Sequence, residues 1–180
     1  RTRSERPQRA LERPSPGPGV FSIMPVILRL LLISLAWVAI HIGAGFLTHH
    51  LPRRFFAADG ILYRSRGWER GGRVYQRLFS IKRWKDRLPE AGALFSGGVS
   101  KRALPSRSAA GLGLLLEETR RAELTHWLPV LLSFSFFAWN PPHIAAWMPI
   151  VAVLGNAPFV MVQRYNRPRL EALERRRRGE

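Results

Sequence analysis

The stretch Glu117–Trp139, EETRRAELTHWLPVLLSFSFFAW, changes abruptly from charged to apolar residues at Trp127. Before Trp127 it contains five charged side chains and one histidine, and after Trp127 it contains no charged side chain. Charged residues remain in water, whereas an apolar run flanked by tryptophan is typical of a segment that enters a bilayer. The stretch therefore predicts a helix that meets a membrane surface near Trp127.

Three apolar blocks are candidates for membrane helices. The first is Val20–Leu47, which is close to the ~20 residues that a helix needs to span a bilayer and carries no charge from Leu30 onward. The second and third blocks, residues 124–139 and 144–162, are separated by Asn-Pro-Pro at 140–142, which should break a helix. The sequence predicts that these last two blocks form a tight helical hairpin.

The predicted fold is an all-α integral membrane protein with about three transmembrane helices. Its expected organisation is a disordered basic tail at 1–19, a transmembrane helix at 20–48, a basic cytoplasmic or interfacial segment at 49–123, a transmembrane hairpin at 124–162 and a basic tail at 163–180. Met24 is a candidate for the natural start, and the alternative is that the preceding residues form a genuine basic arm. Aromatic and basic residues alternate in WERGGRVYQRLFSIKRWKDRL, residues 68–88, a pattern that favours a helix lying on anionic lipid.

The charge of the chain points to a membrane surface as its partner. The formal net charge is +17, and arginine accounts for most of it. By the positive-inside rule, the central segment and the C-terminal tail should be cytoplasmic, which predicts a multi-pass protein of the bacterial cell (inner) membrane. Nucleic acid is not an expected partner, because no aromatic and basic recognition module accompanies the charge.

Several kinds of active site are excluded because the residues or motifs that they require are missing from the sequence. The chain has no cysteine, which excludes thiolate metal sites and a cysteine nucleophile, and it contains no G-x-S-x-G, P-loop or G-x-G-x-x-G motif. The pair Glu123 and His126 matches half of a carboxylate-bridged two-metal site, but a second pair is missing. We therefore expect no metal.

The charged block offers a candidate catalytic group. If residues 117–127 form a helix, Arg120, Glu123 and Trp127 share one face, and His126 lies beside Glu123. We expect His126 to act as a general base, Glu123 to orient it, and Arg120 to hold Glu123 ionised. The alternative is a charged helix end whose histidine packs at the membrane surface. On the other side of this helix, Arg121 should face Glu117 and Glu118.

The stretch QRYNRPRL, residues 163–170, offers a candidate binding site. Guanidinium groups match the oxygen atoms of a phosphate, so its arginines are expected to clamp a phosphorylated acyl donor, with Asn166 and Pro168 ending the helix there. The alternative is a positive anchor that only fixes topology. The predicted substrate-binding residues are Arg121, Arg164, Asn166 and Arg167.

Three stretches together carry a family resemblance: RWKDRLPEAGALFSGGVSKR, ETRRAELTHW and GNAPFVMVQRYNRPRL. In this order and at these separations, they resemble the glycosyl-4,4'-diaponeurosporenoate acyltransferase family of bacterial carotenoid biosynthesis. The resemblance covers roughly Pro25 to Leu173. It carries over no catalytic residues.

The resemblance implies transfer of a fatty acyl group to the glucose C6 hydroxyl of a glycosylated C30 carotenoid acid, the final step toward a staphyloxanthin-type pigment. The implied partners are the lipid bilayer, a glycosylated carotenoid or other glycolipid, and acyl-CoA or a similar acyl donor as co-substrate, with no further cofactor. The alternative from another class is a non-catalytic membrane protein that organises a lipid or pigment pathway.

Overall fold

The computed structural model describes residues 26–58, 60–88 and 109–179. All regular secondary structure in the described part is helical, with no strand, which confirms the predicted all-α class. Its α-helices are α1 (Val26–His50), α2 (Arg73–Phe79), α3 (Ala109–Leu132), α4 (Pro142–Ala145) and α5 (Trp147–Arg178). Short 3₁₀ turns join them, at Arg53–Phe55, Gly67–Glu69, Ile81–Arg83, Lys85–Arg87 and Ser133–Ala138. The predicted disordered tail at 1–19 and the proposed start at Met24 lie outside the described residues.

Helix α3 packs along α5 and also contacts α1. The α3–α5 pair is antiparallel, because Thr119 near the middle of α3 hydrogen-bonds Arg167, while His126, further along α3, hydrogen-bonds Asn156, earlier in α5. Helix α1 also runs antiparallel to α3. The hydroxyls of Thr48 and Thr125 are 2.7 Å apart, and the rings of Trp37 and Phe136 are 5.0 Å apart at the other end.

Among the described residues, two stretches are long and apolar enough to cross a membrane: Val26–His50, and Pro142–Arg178, which comprises α4 and α5. Most apolar side chains of α1 are exposed, and its buried residues are the small Ala44, Gly45 and Thr48. An exposed apolar surface of this extent is typical of a face that meets lipid. The predicted second span at 124–139 is divided between the end of α3 and the 3₁₀ turn at Ser133–Ala138, so a third span and a transmembrane hairpin stay predictions.

Helix α5 continues past the point where the sequence predicted its end. Pro168 lies inside the helix, as does Pro158, and the helix ends only at Arg178. A proline removes one backbone hydrogen bond and disfavours helical conformation in the residue before it. Here that residue is Arg167, whose side chain is buried and bound by the rest of the protein. Tertiary contacts therefore hold the helix through Pro168, and the predicted stop was wrong.

The basic stretch 68–88 of the central segment is not the continuous interfacial helix that its aromatic and basic pattern predicted. It forms short turns around α2, because Arg70, Gly71, Gly72 and Ser80 adopt positive φ angles, which a helix cannot include. The segment packs on α5 instead. Tyr75 and Ile81 form a small buried core with Val162 and Tyr165.

Candidate active site

Glu123 lies at the centre of a buried ionic network between α3 and α5. Its carboxylate is fully buried. Arg164 donates from Nε to Glu123 Oε1 (2.7 Å), and Arg167 donates from Nη2 to Oε2. Trp127, one turn along α3, donates from its indole Nε1 to Oε1 (3.3 Å). Removing one partner from such a network leaves a buried charge uncompensated, which is strongly destabilising.

Arg164 joins this network to the central segment. It donates from Nη1 to Glu69 Oε1 (2.7 Å) and from Nη2 to the Leu62 carbonyl (2.6 Å). Glu69 is itself buried, and it accepts a hydrogen bond from the Tyr75 hydroxyl (2.6 Å) and one from the Arg66 backbone N–H (2.8 Å). One arginine thus links α5, α3 and the turn before α2.

The environment of Glu69 favours its ionised form. Burial opposes ionisation, but the hydrogen bonds from Tyr75, Arg164 and the Arg66 backbone outweigh it, and the pKa of Glu69 is lowered. Burial, followed by the hydrogen bond to Glu69, raises the pKa of the Tyr75 phenol. Glu69 is therefore a buried carboxylate and Tyr75 a neutral donor to it.

Arg167 is the most enclosed cation of the site. It is buried and donates from Nη1 to the Tyr63 carbonyl (2.6 Å), from Nε to the Thr119 hydroxyl (3.2 Å) and from Nη2 to the Thr119 carbonyl (3.3 Å). These contacts fix the part of the central segment around Tyr63 against the α3–α5 pair.

His126 lies on α3, as predicted, next to Trp127. Its Nδ1 atom is 2.9 Å from Oδ1 of Asn156 on α5, and its ring stacks on Phe159 with centroids 4.4 Å apart. From the sequence, Glu123 is the group expected to orient His126. For Nδ1 that partner is Asn156, because the Glu123 oxygens face Arg164, Arg167 and the Trp127 indole.

A groove of about 600 Å³ lies beside the ionic network and is lined by residues of α3, of α5 and of the segment around α2. One wall is apolar and contains Val130, Val153, Ala157 and Val160. Polar and aromatic side chains line it as well: Arg66, Trp68, Tyr75, Trp127, Asn156 and Arg164. His126 is next to this groove in the chain, through Trp127, and in space, through its hydrogen bond to Asn156. The groove thus combines apolar walls with a cluster of polar groups.

Two other residues of the charged block have structural contacts. Arg120, expected to hold Glu123 ionised, donates from Nη1 to the Phe56 carbonyl (2.8 Å), and the arginines of α5 bind Glu123 instead. Arg121 pairs with Glu118 as predicted (2.7 Å) and lies over the Phe56 ring. Glu117, predicted to face Arg121, accepts two hydrogen bonds from Arg53.

The predicted phosphate-binding residues lie in different environments. Arg167 is buried in protein contacts, which favours an internal role over a phosphate clamp. Arg164 lines the groove while it binds two carboxylates, and Asn166 and Arg121 are partly exposed. For these three residues, a contact with the donor stays a prediction. In the described part of the chain, no group of three or more histidine, cysteine or acidic side chains is arranged to hold a metal ion.

Comparison with known proteins identifies the family. A family model described as glycosyl-4,4'-diaponeurosporenoate acyltransferase matches residues 59–176, which include α2, α3, all but the last two residues of α5, and the whole ionic network. The chain belongs to this acyltransferase family. Relatives of that name from Staphylococcus aureus strains bovine RF122 / ET3-1 and USA300 are each 30% identical over 150 residues, covering 82% of this chain and 90% of theirs. No solved structure matches the chain.

Family membership confirms the resemblance seen in the sequence and makes the chain an acyltransferase rather than a non-catalytic organiser at the level of the family. It does not test which residues are catalytic. Two residues that the structure puts at the site were not predicted from the sequence. Asn156 is a lone polar side chain in an apolar run, which is by default a functional signal in a membrane segment, and Glu69 is an isolated acid among arginines.

Proposed function

We propose that this protein transfers a fatty acyl group to the glucose C6 hydroxyl of a glycosylated C30 carotenoid acid, at the cytoplasmic surface of the bacterial cell membrane. The product would be a staphyloxanthin-type pigment, and the step would complete its synthesis. The acyl donor would be acyl-CoA or a similar thioester.

The observation that carries the proposal is the groove between α3 and α5. An acceptor of this kind is an amphiphile with a long apolar chain and a sugar head. The apolar wall at Val130, Val153 and Val160 suits the chain, and the groove also presents Arg66, Tyr75 and Arg164, which can hydrogen-bond sugar hydroxyls. The indole rings of Trp68 and Trp127 offer flat surfaces on which a sugar can stack.

The position of the groove on α5 also suits a reaction at a membrane surface. At 1.5 Å per residue, the 32 residues of α5 span about 48 Å, whereas the hydrocarbon core of a bilayer is about 30 Å thick. The apolar half of α5 ends at Val162, and the arginines follow at once. The polar groups of the groove lie at this change, where the sugar head of a membrane-bound acceptor would be found.

His126 is the proposed general base. As the sugar hydroxyl oxygen attacks the thioester carbonyl, its proton passes to the imidazole. The tetrahedral intermediate then collapses, the C–S bond breaks, and the imidazolium returns the proton to the leaving thiolate. The products are a sugar ester and a free thiol, and the histidine is regenerated. Transfer of this kind contributes typically about 10²–10⁴-fold to a rate.

The direct test is ester formation by the purified protein. The protein in nanodiscs is mixed with glycosyl-4,4'-diaponeurosporenoate and an acyl-CoA, and the product is measured by mass spectrometry. An acylated glycoside with the acyl group on C6 supports the proposal. Failure of the purified protein to form the ester, together with normal ester formation in membranes that contain the rest of the pathway, would contradict the proposal.

A deletion strain gives the complementary result. If the proposal holds, the glycosyl carotenoid acid accumulates and its fatty ester disappears. Normal levels of the fatty ester in the deletion strain would contradict the proposal, because another enzyme would then perform the step.

A further inference from the structure

We infer that Asn156 is a positioning residue that holds His126 in one tautomer, with the proton on Nδ1 and the basic lone pair on Nε2. The inference deepens the proposed function and rests on it for its catalytic meaning, because it specifies which atom of His126 accepts the proton.

The orientation of the Asn156 amide follows from its own hydrogen bonds. Asn156 is buried, and its Nδ2 group donates to the Ala152 carbonyl one turn earlier in α5 (2.9 Å). A carbonyl oxygen can only accept, so the amide atom that faces it must be the nitrogen. The amide oxygen of Asn156 therefore faces Nδ1 of His126, 2.9 Å away.

The tautomer of His126 follows from that orientation. An amide oxygen is only an acceptor, so Nδ1 must be the donor and must carry a proton. In the neutral imidazole the second nitrogen, Nε2, then carries the lone pair. A histidine free in water favours the opposite form, so the protein selects the less common one. Stacking on Phe159 restrains the plane of the ring in addition.

His126 and Asn156 are arranged as a general base and the group that orients it. A general base must present an unprotonated nitrogen to the hydroxyl that it deprotonates, and a partner on its other nitrogen fixes both tautomer and direction. Asn156 also lines the groove, so it connects the base to the proposed acceptor site. Asn156 thus has the orienting role that the sequence predicted for Glu123.

Nitrogen NMR of the protein tests the tautomer directly. The protein is labelled with ¹⁵N in its histidine rings and studied in nanodiscs at a pH where His126 is neutral, with the His126 signals assigned by their loss in His126→Gln. We expect a protonated Nδ1 and an unprotonated Nε2. A protonated Nε2 in the wild-type protein would overturn the inference, whatever the activity.

Two substitutions test whether Asn156 causes this preference. Asn156→Leu has a similar volume and no acceptor, so His126 should shift toward the Nε2-protonated form and kcat should fall at least about tenfold, because a base in the wrong tautomer is ineffective. Asn156→Asp keeps an acceptor at the same place and should retain the Nδ1 proton. If His126 keeps the wild-type tautomer in Asn156→Leu, Asn156 is not the positioning residue.

Asn140→Leu is the matched control. Asn140 is also buried and also donates to a carbonyl four residues earlier, that of Phe136 (3.2 Å). The control reports the cost of removing a buried asparagine and should leave the tautomer of His126 unchanged. A change of tautomer in the control would show a general loss of packing and would contradict a specific role for Asn156.

The two proposals can fail separately. If the wild-type protein forms no sugar ester but His126 shows the Nδ1 tautomer that Asn156→Leu abolishes, the positioning inference stands and the proposed function fails. If the ester forms but the tautomer is the opposite one, only the inference fails.

Discussion

At the scale of single residues, the charged block separates into one candidate base and a structural network. His126 makes its Nδ1 contact with an amide, whereas Glu123 is enclosed by the arginines of α5. Burial distinguishes the two kinds of residue. A fully buried carboxylate between two guanidinium groups holds elements together, and a partly exposed imidazole beside a groove can meet a substrate.

His126→Gln should abolish most of the activity. Glutamine has a similar length and can hydrogen-bond Asn156, but it cannot accept a proton at neutral pH. We expect kcat for ester formation to fall by about 100-fold or more, with normal membrane insertion. His143→Gln is the control, because His143 is exposed in α4 and has no place in the proposed mechanism. Turnover of His126→Gln within a few-fold of wild type would make His126 a structural residue. The search for the base would then turn to His49 and His50, the two histidines in the last turn of α1.

Glu123→Gln should destabilise the protein strongly. The substitution removes the carboxylate that pairs with Arg167 and one of the two carboxylates that pair with Arg164, and breaking a buried pair costs about 3–5 kcal/mol. The thermal midpoint of the detergent-solubilised protein measures this. Glu117→Gln is the matched control on the same helix, since its partner Arg53 is largely exposed and such pairs contribute little. Equal midpoints for the two variants would contradict a structural role for the buried network.

At the scale of elements, the contact of the central segment with α5 depends on close approach at one glycine. Gly72 has φ +80°, and a Cβ atom there would lie 3.0 Å from Cα and 3.1 Å from the carbonyl oxygen of Tyr165. The neighbouring Gly71 has a similar φ of +63° but meets no atom within 4 Å. Substitutions at the two glycines therefore distinguish the cost of backbone strain, which both share, from the cost of a steric clash, which arises only at Gly72.

Gly72→Ala should be clearly more destabilising than Gly71→Ala. Both substitutions carry the cost of a left-handed residue, about 1–2 kcal/mol, and only Gly72→Ala adds a clash with the α5 backbone, which costs roughly another 1–3 kcal/mol. Thermal midpoints of the two variants give the comparison. If both midpoints fall equally, the central segment does not pack on Tyr165 as described.

The attachment of the central segment should also weaken in acid. The pKa of Glu69 is lowered from its ordinary value of 4.5, so the folded state favours its ionised form. This stabilisation is complete above the ordinary value and is lost as the pH falls through the lowered pKa, because the unfolded state then binds the proton first. Limited proteolysis between Tyr63 and Leu88 should therefore accelerate below about pH 4.5.

A variant without the titrating group isolates this effect. Glu69→Gln should show faster proteolysis at neutral pH and a smaller further increase in acid than the wild type. Asp86→Asn, which removes a largely exposed carboxylate, should behave like the wild type. An acid response of Glu69→Gln as large as that of the wild type would assign the effect to other groups.

At the scale of the whole molecule, the described helices expose much apolar surface on α1 and on the first half of α5. The large exposed apolar side chains include Leu31, Leu35, Ile42, Trp147, Val151 and Leu154. Exposed apolar surface of this extent is typical of contact with lipid or another protein. The second half of α5 is basic, and the central segment packs on that half.

The protein should remain in the membrane after alkaline carbonate extraction. Two helices in the described part of the chain are long and apolar enough to cross a bilayer, and high pH does not reverse the burial of such helices in hydrocarbon. Its distribution between pellet and supernatant is measured by immunoblot, with a known peripheral protein as the control that must be released. Recovery in the supernatant would contradict the membrane spans.

The sequence by itself determined the helical class, the apolar blocks and the family. These properties depend on composition and on local order along the chain. Eighteen uncharged residues from Leu30 favour a helix in any context where lipid surrounds them. The order and spacing of the block ETRRAELTHW and the stretch ending in NRPRL carried the family resemblance without any knowledge of contacts.

Only the tertiary structure decided which partners the charged residues have and where the last helix ends. Glu123 could reach His126 along α3, but α5 brings Arg164 and Arg167, from more than forty residues away, closer to its oxygens. The same packing buries Arg167 and carries α5 through Pro168, against the local preference of the chain. Spacing within one helix restricts which residues can meet, whereas the charges brought by a second helix determine which contacts form, because a buried carboxylate is stable only where cations compensate it.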